Sequence, residues 1–286
     1  MRTKSMFLVS RTVALILASL LLLAGWAGGG EIRVMTSGGF TAPYNEVIPE
    51  YERATQNQVV TSYGASMGNA PDSIPMRLER GEPVDVVILA STALDELIKQ
   101  GKVVPGSRVD LVRSSIGMAV RAGAPQPDIS TVAALVRTLL QAKSIAYSAS
   151  ASGVYLSTEL FPHLGIADQI KGKSQRIESE RVGTVVARGD TEIGFQQISE
   201  LLPIPGIDYV GPLPPEVQKI TVFSAGVAVG AKEPDAARAL IKFLASPAAA
   251  PAIRKNGLEP VTSRGGPSET RSRIQTTLLE PSANSR

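Results

Sequence analysis

A chain of 286 residues, 43% hydrophobic and 19% charged, is long enough for two lobes and apolar enough to fill a core, so it is not disordered by composition. It has no cysteine and one histidine, His163, which excludes disulfides, thiolate metal sites, a cysteine nucleophile, a lipid-modified cysteine and His-rich metal clusters. The net charge of +3 sits at the ends, with Arg2, Lys4 and Arg11 at the start and an arginine surplus after residue 260; the body between is mildly acidic, and no basic face is left to track nucleic acid.

In chain order, a basic start and the apolar run Val13–Ala24 lead into small residues up to Gly30, the three-part layout of a secretory signal peptide cleaved between about Ala27 and Gly30. The run is short of the ~20 apolar residues that a membrane span needs. Residues 1–30 are therefore read as a signal peptide and the mature protein as soluble and periplasmic. From Glu31 the sequence alternates. Strands are expected at Glu31–Thr36, Gln58–Tyr63, Val84–Leu89, Ser115–Val120, Ser144–Ser148, Glu192–Gln197 and Ile220–Gly230. Helices are expected at Ala42–Thr55 (bent or broken at Pro49), Asn69–Glu79, Thr92–Gln100, Thr131–Ala142, Gly153–Leu164, Val182–Arg188 and Asp235–Ala245. The alternation predicts an α/β fold with mostly parallel sheets flanked by helices. The polar stretch 263–286 is read as a disordered tail.

Motifs of catalysis are missing. Gly172-Lys173-Ser174 has Ala167 where a P-loop needs glycine, and there is no dinucleotide-binding glycine pattern, nucleophile elbow or Ser-x-x-Lys. His163, after Phe161-Pro162, reads as a capping or surface residue. Glu178 and Glu180, like Arg181 and Arg188, read as solvated faces. The chain is accordingly expected not to be an enzyme and to need no cofactor.

What recurs is a strand that ends in small or hydroxyl-bearing residues and runs into a helix, at Thr36–Phe40, Tyr63–Gly68 and Tyr147–Gly153. Each junction offers free N–H groups and a hydroxyl at a helix start, where about half a positive elementary charge favours anions. Taken singly, each reads better as an ordinary cap or turn; three in corresponding topological positions point to a shared site.

Ile32–Thr41, Ser62–Gly68 and Arg77–Ala90, with Gly153-Val154-Tyr155, Ala187–Phe195, Phe243–Pro247 and Asn256-Gly257-Leu258, make 31–260 resemble the molybdate-binding family of periplasmic solute-binding proteins. The resemblance implies two α/β lobes joined by crossings near Ser115–Val120 and Ser224–Val229. One lobe is then 31–116 plus 225–262 and the other 117–224. A small anion, a molybdate-like oxyanion or an organic carboxylate, would be held between them by hinge closure and passed to an inner-membrane ABC permease. Carried over by position, the ligand-binding set is Ser37, Gly39, Phe40, Ser66, Ser150, Ser152, Val182 (through its backbone), Gln196 and Gln197. Gln197 stands where the molybdate binders have tyrosine, and alternation along the strand turns one of the two glutamines inward. The resemblance implies a monomer without a cation site, any metal entering only within the oxyanion. A periplasmic sensor or accessory subunit acting on a membrane receptor is the alternative role on the same fold.

Overall fold

The computed structural model describes residues 29–261, so residues 1–28 of the expected signal peptide and all of the expected tail, 263–286, lie outside the described residues. The elements are β1 (Glu31–Ser37), α1 (Gly38–Thr55), β2 (Gln58–Gly64), α2 (Ile74–Glu79), β3 (Val86–Ala90), α3 (Ser91–Lys99), β4 (Val109–Ser114), β5 (Ile116–Arg121), α4 (Val132–Gln141), β6 (Ile145–Ser148) and α5 (Ala151–Tyr155). The chain continues from α5 through a π-helical turn, Leu156–Leu160, to Phe161–His163. Then follow α6 (Ala167–Ile170), β7 (Ser174–Ile177), α7 (Val182–Arg188), β8 (Ile193–Gln197), α8 (Ile198–Leu201), β9 (Ile207–Pro212), β10 (Thr221–Val227), α9 (Pro234–Leu244), α10 (Ala250–Lys255) and β11 (Glu259–Pro260).

Two sheets form the α/β lobes. The first has strand order β11-β4-β10-β3-β1-β2 and the second β7-β6-β8-β5-β9. They are mixed rather than mostly parallel. β1 pairs parallel with β2 and β3, and β6 with β7 and β8, whereas β10 runs antiparallel to β3 and β4, and β5 antiparallel to β8 and β9. The reversal comes from the connections. β4 leads through Ser115 directly into β5, and β10 returns from β9, so these strands enter their sheets against the direction set by the β–α–β units. The second crossing thus falls between Pro212 and Thr221, before the expected 224–229, and all of β10 belongs to the first sheet.

Local sequence explains the well-formed elements. β3, Val-Val-Ile-Leu-Ala, is buried throughout at the centre of its sheet. α9 turns Ala237, Leu240, Ile241 and Leu244 onto this sheet as one stripe. Thr131 caps α4 by accepting from the Ala134 N–H at 3.1 Å. α1 starts at Gly38, four residues before the expected start, and passes Pro49 without a break; Pro49 and Asn45, whose carbonyl it leaves without a helical donor, are both exposed, so water can take the lost bond. α2 is shorter than the expected Asn69–Glu79, and Pro75 sits in its first turn.

Asp85 ties the first lobe together. Its buried carboxylate accepts from the Arg33 N–H at 2.7 Å and, on the other oxygen, from the Lys232 and Glu233 N–H groups at 2.7 and 3.3 Å. One side chain thereby joins β1, the entry to β3 and the turn before α9. Asp85→Ala would leave these donors without their acceptor and is expected to lower stability by about 3 kcal/mol. Chemical denaturation measures this, and Asp85→Asn should recover part of the loss.

Candidate functional site

The sheets face each other across a cleft of about 350 Å³. Its first-lobe wall is the β1–α1 junction, Ser37, Gly38, Gly39 and Thr41, with Asn45, Tyr63–Ser66, Asp72 and Phe223. Its second-lobe wall is Ser148–Ser152, Ile177–Arg181, Gln196, Gln197 and Glu200. Ser37, Gly39, Ser66, Ser150, Ser152, Gln196 and Gln197 are thus brought to one cavity from both lobes.

Two expected residues are not. Phe40 is buried in the first lobe's core against Tyr44, because the helix that begins at Gly38 turns position 40 toward the sheet. Val182 is fully buried and does not border the cleft, and its N–H is taken by Gln196 Oε1 at 2.9 Å. A backbone donor already satisfied from inside the lobe is not free for a ligand. Both glutamines border the cleft although alternation allows one, because β8 ends at Gln197 and the chain turns at once into α8. Arg188 pairs outward with Glu180 and Asp190, as a solvated face should, but Arg181 lines the cleft and has no carboxylate within ion-pair distance among the described residues. His163 is exposed and away from the cleft.

Several polar groups of the cleft lack partners. Ser37 Oγ and Gln197 Oε1 are buried without a hydrogen bond, while Gln197 Nε2 donates to Thr221 Oγ1 at 3.0 Å. Ser66 Oγ accepts from the Ala90 N–H at 2.9 Å, which fixes the hydroxyl while its own proton remains free to donate. Ser148 and Ser152 hydroxyls lie 3.1 Å apart. At the rim, Ser179 Oγ donates across the lobes to Asp72 Oδ1 at 3.3 Å.

The residue that sequence reasoning missed is Glu200. It stands on the single turn α8, which packs against α1, and the adjacent Ser199 Oγ donates to Gly39 O at 2.8 Å. Gly38 makes room for it, since a Cβ at position 38 would overlap Glu200 Oε1; one at position 39 would overlap the Phe223 ring. Gln196 Nε2 donates to Glu200 Oε1 at 3.0 Å. Desolvation raises the Glu200 carboxyl to about 7, against the opposing pull of the Arg181 charge, the Gln196 side chain and the Gln197 backbone. A carboxyl poised near neutrality inside a cleft can both accept and return a proton.

Two α/β lobes with a polar cleft between them define the two-lobed binding-protein architecture. The chain belongs to the bacterial extracellular solute-binding protein family, whose model matches residues 32–259. A protein of Pseudomonas sp. named aconitate isomerase is 48% identical over 251 residues, 88% of this chain and 95% of that one. The molybdate-binding protein ModA of Azotobacter vinelandii is 26% identical over 267 residues, 88% of this chain and 98% of that one. The solved periplasmic molybdate-binding protein of Azotobacter vinelandii shares the fold with a TM-score of 0.63 at 21% identity, over 79% of this chain and 98% of that chain. The relative named as an isomerase overturns the expectation that the chain is not an enzyme. That expectation rested only on the absence of familiar motifs.

Glu200 carries a stability signature of definite sign. Its folded-state carboxyl keeps a proton to about pH 7, while an ordinary one loses it near 4.5, so between these values the folded state binds the extra proton and stability falls as pH rises. Glu200→Gln should abolish this slope and raise stability above neutrality by up to about 3 kcal/mol. Urea denaturation of both proteins at pH 5 and pH 8 measures it, and equal slopes would show that Glu200 titrates normally.

Proposed function

We propose that this protein is a periplasmic isomerase of aconitate, or of a closely similar unsaturated tricarboxylate, which it encloses between its lobes and isomerises by proton transfer through Glu200. The observation that carries the reading is a near-neutral carboxyl inside an anion-suited cleft, in a chain nearly half identical to a protein named for that reaction.

The chemistry suits the residues. Aconitate carries a methylene group flanked by a carboxylate and by a carbon–carbon double bond, so its C–H bonds are acidified. Ionised Glu200 removes one of these protons. The electron pair spreads over the three-carbon unit and its terminal carboxylates, and the same carboxyl returns the proton to the other terminal carbon. The double bond moves by one position, the connectivity is unchanged, and the rotamer held in the cleft decides cis or trans. No oxidant, reductant or metal is required by the balance. The alternative, addition of a nucleophile followed by bond rotation, needs a thiolate or an activated hydroxyl. The chain has no cysteine, and among the described residues the one cleft serine hydrogen-bonded to a carboxylate is Ser179, which meets Asp72 across the rim at a long 3.3 Å.

The substrate carboxylates would be met by the start of α1 with Ser37, by the hydroxyls of Ser66, Ser150 and Ser152, and by the unpaired Arg181. Ser37 Oγ, buried without a partner, would gain one by donating to a ligand carboxylate. Hinge closure would exclude water and raise the worth of each contact. Residues 1–30 would direct export, and the mature protein would act as a monomer. The second reading, capture of a small anion for an ABC permease without chemistry, is favoured by the family itself.

Incubation of the purified mature protein with cis-aconitate, followed by proton NMR, is expected to show trans-aconitate forming. Glu200→Gln should lower kcat by about 10²–10⁴-fold with a smaller effect on KM. Tight binding without conversion would support the transport reading instead.

A further inference from the structure

We infer that Gln196 is the positioning residue of the proton-carrying carboxylate: its side-chain amide, locked by the Val182 N–H, holds Glu200 Oε1 and leaves Oε2 as the oxygen that exchanges the proton. The inference rests on the proposed proton transfer and deepens it.

The amide orientation of a glutamine is ordinarily ambiguous, but here its partners settle it. Val182 N–H can only donate, so the atom it meets at 2.9 Å must be the carbonyl oxygen of Gln196. The NH₂ group is then the one that lies 3.0 Å from Glu200 Oε1. That NH₂ cannot accept, so when Glu200 is protonated its hydrogen cannot sit on Oε1 facing the donor; it sits on Oε2. Gln196 is itself 96% buried, and Val182 opens α7 against the same strand, so the amide cannot swing away without leaving a buried N–H unsatisfied. Gly38 closes the other side of Oε1, where no side chain fits. One carboxylate oxygen is therefore anchored between two lobes, and a single oxygen is left to take a proton from one end of the three-carbon unit and deliver it to the other on the same face.

The charged groups that face Glu200 bear on its titration. Arg181, at the start of α7, favours the ionised form. Glu178 and Glu180, on the β7–α7 connection, are paired with Arg176 and Arg188, and Asp72 stands on the opposite wall; the first turn of α1 carries no acidic residue. With these unchanged, loss of the Gln196 donor removes a hydrogen bond that favours the charged form, and its replacement by a carboxylate adds repulsion.

The test compares Gln196→Leu and Gln196→Glu with the wild type. Gln196→Glu retains an acceptor for the Val182 N–H, so α7 stays anchored while the donor to Glu200 is lost. In both variants the acidic limb of the kcat/KM profile should move up by about one pH unit or more, and kcat at pH 7 should fall by about fivefold or more with KM changed less. A wild-type profile in a folded Gln196→Glu protein would overturn the inference. A carboxyl-carbon NMR titration of Glu200, assigned with Glu200→Gln, gives the same answer without turnover: the wild-type midpoint must rise in the variants, and an unmoved midpoint overturns the inference. If wild type fails to isomerise aconitate while the midpoint still rises, the positioning role stands and the proposed reaction falls.

Discussion

A carboxylate wedged at the meeting of two lobes is the constraint around which the site is arranged. Glu200 stands on a one-turn helix of the second lobe and presses on the first residues of α1 in the other. Ionisation there costs free energy, which keeps the proton to about pH 7 and couples the charge state of one side chain to the contact between the lobes. The surrounding residues manage that cost. Glycine at 38 admits the carboxyl, Gln196 donates to one of its oxygens, Arg181 opposes the burial, and Ser199 fastens the turn to Gly39.

Much of the fold was legible because it rests on local pattern. The apolar run of β3 and the stripe of α9 declare their burial within a few residues. The strands left unassigned, β4, β7, β9 and the two-residue β11, carry Asp110, Arg113, Gln175, Arg176, Asp208 and Glu259 and gain their pairing from distant chain. The mixed direction of the sheets was hidden for the same reason: it is decided by where the chain crosses between lobes, and Pro212-Leu213-Pro214-Pro215 at the second crossing marks a break in structure but not a change of lobe.

The serine- and glycine-rich walls of the cleft were legible as chemistry, since small residues at helix starts leave only a few physical uses. Phe40 failed because one helical step separates a cleft-facing glycine from a core-facing ring. Val182 failed because a side chain, Gln196, satisfied its N–H from within the lobe. Glu200 was invisible for a deeper reason. In Ile198-Ser199-Glu200-Leu201 it looks like any solvated helix acid, and only packing against residues some 160 positions earlier changes its character. The same enclosure that suits an anion also desolvates a carboxyl placed beside it, and no local motif announces such a group.

The central claim is that the cleft moves a proton along the ligand rather than merely turning a bond, and isotopic labelling reads this directly. With aconitate deuterated at both methylene positions, a proton shift converts the labelled methylene carbon into the vinylic carbon of the product. NMR should then find deuterium on the vinylic position, and on the new methylene the former vinylic hydrogen beside the transferred deuteron, or beside a solvent hydrogen wherever Glu200 exchanges before returning it. Product in which both deuterons remain on the methylene carbon would contradict the account.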